Sequence, residues 1–186
     1  LHGTSFDGGS HAAGTFFTVD PATLAVTVVD SFPAFPWNDH GTDNTAIQAP
    51  TVLSDGTLVM AREFGGTYGT GLIVRLAPTG IVVLKELDDI PLAATPRFSN
   101  ATGGMPNGRV AEGPDGMIYG TTTYGGAYGS GSIYRIARDG SQFELLHSFE
   151  GGYPYGGLTL GSDGALYGTT FNTSQVFRFV PPLACR

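Results

Sequence analysis

With 186 residues, a formal net charge of −7 and 13% charged residues, the chain carries about half the usual ~25% share of charge while holding 29 glycines. That acidic balance, with no basic stripe set against it, excludes nucleic acid as a partner, and no run nears the ~18 consecutive apolar residues of a membrane span. Scattered glycine with little Lys or Glu suits strands and tight turns rather than helices, and the lone Cys185 has no partner for an internal disulfide.

In chain order, Leu1-His2-Gly3-Thr4-Ser5 reads as a strand that passes through a glycine loop, Gly8-Gly9 to Gly14, into Thr15-Phe16-Phe17. An insertion from Pro33 to Pro50 follows. Asp55-Gly56 is a two-residue turn of the kind that joins antiparallel strands, and it leads to Leu58-Val59-Met60, the loop Gly65-Gly66 to Gly71, and Leu72-Ile73-Val74. After a second insertion, Asp88 to Asn107, the turn Asp115-Gly116 opens the clearest unit. Its strands are Met117 to Thr122, Ser132 to Ala137 and Phe143 to Phe149, with the glycine loop Tyr124 to Gly131 and the turn Asp139-Gly140 between them. Last come Gly157 to Gly161, the turn Asp163-Gly164, Ala165 to Thr170, and Val176-Phe177-Arg178-Phe179.

The same unit is therefore written four times, its opening residues Leu1, Leu58, Ile118 and Leu166 separated by 57, 60 and 48 positions. In the first three copies the paired glycines follow the opening residue by seven and the next glycine comes five later; the fourth copy loses these glycines. A period near 50 made of short strands predicts a radial array, and four strands per unit, A to D, predict an all-β, β-propeller fold of four-stranded blades. Weak polar alternation along the strands fits blades buried on both faces. The count runs B-C-D, A-B-C-D, A-B-C-D, A-B-C: fourteen strands, about three and a half blades, in one domain spanning 1–186. Such an arc leaves packing faces and strand edges open. The expected partner is thus the remainder of the propeller, whether in the same protein as part of a larger ring or as a second copy of a self-assembling half. Leu1 already lies inside a unit, which places the natural N-terminus and any export signal upstream.

The run Asp115 to Arg135, and again Gly157 to Thr170, resembles the GloVer-type tandem repeat: Asp-Gly-x-[Leu/Ile]-Tyr-Gly-Thr-Thr, a double glycine, a further glycine, then [Ile/Val]-[Phe/Tyr]-[Arg/Lys]. The first two units are diverged forms of it. The resemblance implies a propeller-like protein exported to the cell surface or medium, hence a secreted, extracellular location. It supplies no catalytic residues, because the repeat and not a shared activity defines the family. Two sequons, Asn100-Ala101-Thr102 and Asn172-Thr173-Ser174, make Asn100 and Asn172 candidate glycosylation sites.

Strand parity locates the candidate functional end. In an up-and-down blade the B–C and D–A connections emerge together, opposite the A–B and C–D turns. The A–B and C–D connections are minimal Asp-Gly or Thr-Gly turns, so every irregular segment lies at the other end, where long loops are often functional. The first insertion holds the only tryptophan, Trp37, beside Asp39 and His40, an aromatic platform with polar groups to orient a ligand; a self-packed loop capped by its own Asp and Asn side chains is the alternative. Asp39, Asp43 and Asn44 lack the Asp-x-Asp-x-Asp spacing of a calcium loop, and no metal site is assigned.

Three further positions join this end. Where other units have Gly-Thr-Thr, the second has Met60-Ala61-Arg62-Glu63, and Arg62 is a candidate to grip a carboxylate, phenolate or sugar hydroxyl, against the alternative of a structural ion pair. Tyr68 and Tyr128 occupy one place in two glycine loops, and the second insertion adds Arg97. The glycine loops themselves lack the Lys-Ser/Thr and the helix start of a phosphate cradle, so their glycines serve turn geometry. No nucleophile, zinc or paired-carboxylate signature is present, and no cofactor is called for. Two classes stay open. One is a propeller binding a small molecule or glycan through its loop-rich face. The other is an enzyme with a central pocket, either a pericyclase or hetero-Diels–Alderase-like cyclase of natural-product biosynthesis or a carbohydrate-active lyase or hydrolase, the cyclase reading resting on fold analogy alone.

Overall fold

A computed structural model describes residues 1–5, 8–10, 14–32, 48–67, 69–87 and 103–182. Trp37, Asp39, His40, Tyr68, Arg97, Asn100 and Cys185 lie outside the described residues. Among those described there is no helix, and the chain runs β1 (His2–Thr4), β2 (Thr15–Val19), β3 (Val26–Ser31), β4 (Thr51–Val52), β5 (Leu58–Arg62), β6 (Leu72–Ala77), β7 (Gly80–Glu86), β8 (Ala111–Glu112), β9 (Ile118–Thr122), β10 (Ser132–Ile136), β11 (Glu144–Ser148), β12 (Thr159–Leu160), β13 (Leu166–Thr169) and β14 (Val176–Phe179). These form four antiparallel meanders: β1-β2-β3 (blade I), β4-β5-β6-β7 (blade II), β8-β9-β10-β11 (blade III) and β12-β13-β14 (blade IV). Two blades are four-stranded and two three-stranded, as the turn spacing predicts.

Strand period, not an alternation of polar and apolar residues, organises the core. On β5 and β6, Leu58, Met60, Leu72, Val74 and Leu76 pack against Phe16 and Phe32 of blade I. Their neighbours Val59, Ala61 and Ile73 face the other way, onto Val110, Ile118, Tyr134 and Ile136 of blade III. Blade III repeats the pattern, sending Tyr119 and Ile133 toward Leu158 and Leu166 of blade IV. Successive side chains leave opposite faces of a strand, so a strand buried on both faces carries apolar or small paired polar residues along most of its length.

The small residues of the repeat signature follow from this packing. Tyr134 pairs across the ladder with Gly120, Phe17 with Gly3 and Phe177 with Gly168. A Cβ on Gly3 would lie 2.6 Å from Phe17 Cζ, and one on Gly120 would lie 2.8 Å from Tyr134 Cε1. The ring of the third strand thus covers the glycine of the second. Blade II inverts the sizes at the same place, pairing Met60 with Val74.

A second device explains the Asp, Tyr and Arg of the motif. In blade III, Asp115 accepts the backbone N–H of Met117 at 3.1 Å and the Tyr119 hydroxyl at 2.7 Å, while Arg135, opposite Tyr119 in the register, approaches the same carboxylate at 3.7 Å. Blade IV repeats it: Asp163 accepts from Ala165 N at 3.1 Å, from Tyr167 Oη at 3.0 Å and from Arg178 Nη2 at 2.8 Å. The bonds from Arg178, Ala165 and Tyr167 pull the Asp163 carboxyl down to about 2. Burial, with the Asp115 bond, pushes the Tyr119 hydroxyl up to about 12. The clamp ties the A–B turn to the second and third strands. That accounts for the repeat without invoking a ligand.

Candidate functional site

The loop end is built on a backbone motif written three times. Gly14, Gly71 and Gly131 donate their N–H groups to Gly8, Gly65 and Gly125 at 3.1, 3.1 and 3.0 Å, and their carbonyls accept from Phe32, Leu87 and Phe149. The last residue of the closing strand in blades I, II and III also holds the loop: Ser31 Oγ accepts from Ser10 N, Glu86 Oε2 from Thr67 N and Ser148 Oγ from Ala127 N. All these glycines have positive φ, between 84° and 136°. Their role is geometric, in keeping with the sequence reading. The D–A connections leave from the same end, where Pro106 seats on Gly71 and Pro154 on Gly131.

Arg62, the last residue of β5, faces blade I with Leu58 and Met60, as its parity requires. It is 3% exposed, its Cζ lies 4.3 Å from the centre of the Phe32 ring, and its Nε is buried without a hydrogen-bond partner. No carboxylate among the described residues forms an ion pair with it. Burial lowers its pKa to about 10. In blades I and III this position carries one half of a hydroxyl pair, Ser5 with Thr15 at 2.8 Å and Thr122 with Ser132 at 2.7 Å; in blade II the pair is Arg62 opposite Leu72. Glu63, past the end of the strand, is half-buried and has interactions of its own.

Tyr128 sits at the tip of the blade III loop, 59% exposed, and the neighbouring Glu150 carboxylate holds its hydroxyl above the usual phenol range. Glu150 lines a cavity of about 370 Å³ between blades III and IV, together with His147, Ser148, Thr173 and Gln175. Tyr155 and Phe171 stand at the same junction with ring centres 6.0 Å apart, and Tyr124 meets Tyr153 edge-on at 5.5 Å. The large aromatics exposed among the described residues are Tyr128, Tyr155 and Phe171, and all three belong to B–C or D–A connections. Tyr153, which carries an unusual positive φ of 27°, shapes this connection, and the carbonyls of Gly152 and Tyr153 both accept from Phe171 N at 2.9 Å. The structure therefore places Arg62 and Tyr128 at one end but in different inter-blade junctions. Sequence reasoning passed over Tyr155 and Phe171; the available signal was Tyr153-Pro154-Tyr155 and a fourth unit whose glycine loop is replaced by Phe171 to Ser174.

A larger cavity, about 650 Å³, opens at the opposite end between blades I and II, walled by His2, Phe16, Asp55, Leu58, Arg75 and Pro78. Its origin is a packing difference. Between blades II and III the equivalent space is filled by Arg138, which bonds Asp55 at 2.6 Å, Ser54 at 2.8 Å and also Glu112. Pro78 takes the place of Arg138 in blade II and cannot reach across, and three-stranded blade I brings no A–B turn to meet it. No cluster of His, Cys, Asp or Glu suited to a metal occurs among the described residues.

A model of the Gloeobacter/Verrucomicrobia repeat matches residues 1–182. No curated protein matches the chain. Among solved structures, streptogramin B lyase superposes with a TM-score of 0.50 at 20% identity, over 95% of this chain and 51% of that one. The extracellular domain of a hybrid two-component system from B. thetaiotaomicron gives 0.53 at 12% identity, over 92% and 20%. A protein described as a 6-phosphogluconolactonase from Bacteroides uniformis gives 0.51 at 16% identity, over 98% and 50%. At these identities the likeness is one of propeller fold, and the chain spans about half the length or less of each of the three.

Proposed function

The chain belongs to the Gloeobacter/Verrucomicrobia repeat family, and from that premise we propose that it is the arc of an exported β-propeller that binds a glycan through its loop end, at the junction of blades III and IV. The observation that supports this reading most directly is the setting of the 370 Å³ cavity. Glu150, Thr173 and Gln175 in its wall can bond hydroxyls, and Tyr128, Tyr155 and Phe171 are exposed on loop-end connections of the same two blades. Flat apolar rings with polar groups beside them match a sugar, which has one apolar face and a rim of hydroxyls. Here Tyr155 and Phe171 form the platform, and Glu150, Thr173 and Gln175 supply donors and acceptors. Trp37, Asp39, His40, Tyr68 and Arg97 belong to the same proposal through strand parity, and Arg62 through its buried Nε, which has no hydrogen-bond partner among the described residues. Asn172, exposed beside Thr173, is open to glycosylation in a secretory pathway.

The test is calorimetric titration with neutral tetrasaccharides of glucose, xylose, mannose and N-acetylglucosamine. At least one should bind, and Tyr155→Ala and Phe171→Ala should each weaken it about tenfold, the equivalent of the ~1.4 kcal/mol that an aromatic contact supplies. Asp163→Asn, on the turn end, should leave affinity unchanged. Absence of binding to every sugar, or equal binding by the Tyr155 and Phe171 variants, would remove this assignment.

A further inference from the structure

We propose that the glycan taken at the junction of blades III and IV is a basic one, built of sugar units that carry an unacetylated amino group, and that Glu150 is the residue that selects it. This rests on the glycan reading above and adds a charge to it. The observation behind it is the distribution of charge over the two blades. From Ala111 to 182 the chain has six carboxylates, three arginines and no lysine. Five of the carboxylates lie at the turn end and have partners there. Arg135 pairs with Glu144 at 2.8 Å and approaches Asp115 at 3.7 Å, Arg178 pairs with Asp163 at 2.8 Å, and Arg138 pairs with Glu112; Asp139 accepts from Ser141 N at 2.9 Å. All three arginines are thereby held at the turn end, and Arg109, just before β8, bonds Thr51 of blade II at 3.3 Å. The sixth carboxylate, Glu150, stands at the loop end. It is exposed and lies in the wall of the 370 Å³ cavity, and no lysine or arginine among the described residues shares that wall or pairs with it.

A ligand that brings the opposite charge to this carboxylate gains a charge-assisted hydrogen bond on docking. The net charge of −7 favours its approach and opposes that of an anion. Tyr155 belongs to the same D–A connection as Glu150, and Phe171 to the B–C turn that supplies Thr173 and Gln175. Both rings are exposed, and the face of an aromatic ring attracts an ammonium group as well as the apolar side of a sugar. A neutral sugar uses the rings and the hydroxyl-bonding side chains alone, and a uronic acid meets Glu150 as a like charge. An amino sugar uses all three features: its apolar face on the rings, its hydroxyls on Thr173 and Gln175, and its ammonium at Glu150. N-acetylation removes the ammonium, so the same carboxylate separates the free amine from its acetylated form.

The test is calorimetric titration with tetrasaccharides of glucosamine, glucose, N-acetylglucosamine and glucuronic acid at about pH 6, below the ~7.7–8.0 of an ordinary α-amino group, so that the sugar amine is charged. The glucosamine tetrasaccharide should bind about tenfold tighter than either neutral one, the equivalent of ~1.4 kcal/mol and near the low end of a hydrogen bond to a charged group. Glu150→Gln, an isosteric change at an exposed position, should erase that preference and leave the neutral affinities unchanged. Glu144→Gln removes the same charge at the turn end and should keep the preference. Tyr155→Ala should weaken charged and neutral sugars together. His147 shares the cavity wall and repels an ammonium when protonated, so His147→Gln should keep or widen the preference. Equal binding of charged and neutral sugars, with both weakened by Tyr155→Ala, would overturn the selection by charge and leave the glycan reading standing. A preference that survives Glu150→Gln, one that Glu144→Gln abolishes equally, or glucuronic acid binding as tightly as glucosamine would each overturn Glu150 as the selecting residue. Failure of all four sugars to bind would remove the glycan reading and this inference with it.

Discussion

Replacing Gly120 by alanine tests whether the ring-over-glycine pairing holds each blade together. The backbone there is outside the left-handed region, so alanine is conformationally permitted, and the whole effect comes from space. The new Cβ would lie 2.8 Å from Tyr134 Cε1 and nearer still to the phenol end of the ring, and Tyr134 is fully buried against blade II, with no room to withdraw. Overpacking of this kind costs about 1–3 kcal/mol, and at ~2–4 °C per kcal/mol for a chain of this size the melting temperature should fall by roughly 2–12 °C. Tyr134→Val alone should also destabilise, by about 2–4 kcal/mol, as truncation of a buried ring leaves a cavity. The two together recreate the inverted arrangement of blade II, where the larger Met60 meets Val74. The double variant should therefore be more stable than the sum of the single losses by about 1–3 kcal/mol, a coupling that urea denaturation of all four proteins measures. Additive losses would show that Gly120 is present for another reason.

Three further outcomes follow from individual side chains. Tyr134 Oη is buried with no partner, while Phe17 and Phe177 serve the same position without a hydroxyl; Tyr134→Phe should raise stability by about 1 kcal/mol, and a lower melting temperature would reveal an undetected bond. The Asp163 carboxyl titrates near 2 when folded, below the ~3.9 of an unfolded aspartate, so its contribution is present above pH ~4 and lost as pH falls toward 2; Asp163→Asn should flatten the acid limb of a melting-temperature profile between those values. Arg62→Met removes a buried cation that has no ion pair among the described residues from a site walled by Phe32 and Leu72 and should stabilise the fold by about 1–3 kcal/mol. If it destabilises instead, the guanidinium has a partner within the protein.

The division between what the sequence discloses and what it hides has a physical basis. Blade number and strand order were legible because the Asp-Gly turns at 55, 115 and 163 each begin three residues before the opening residue of the next strand, Leu58, Ile118 and Leu166, and the local hydrogen bonds that Asp115 and Asp163 accept from their own strands fix those hairpins without long-range information. Arg62 was legible as a departure from the repeat, but its surroundings were not, because they depend on Phe32, thirty positions earlier and in another blade. The aromatic rim was missed because Tyr155 and Phe171 come together only when a D–A connection of one blade folds over the B–C turn of the next. The turn-end cavity was equally invisible, since it arises from a residue that fails to reach across, Pro78 standing where blade III has Arg138. A repeat thus reveals in sequence what each blade does alone, and the junctions, where the cavity of blades III and IV lies, require side chains from two units at once. Functional inference in such an arc has to be made junction by junction, comparing equivalent positions, as the contrast between the Thr122–Ser132 hydroxyl pair and Arg62 opposite Leu72 shows.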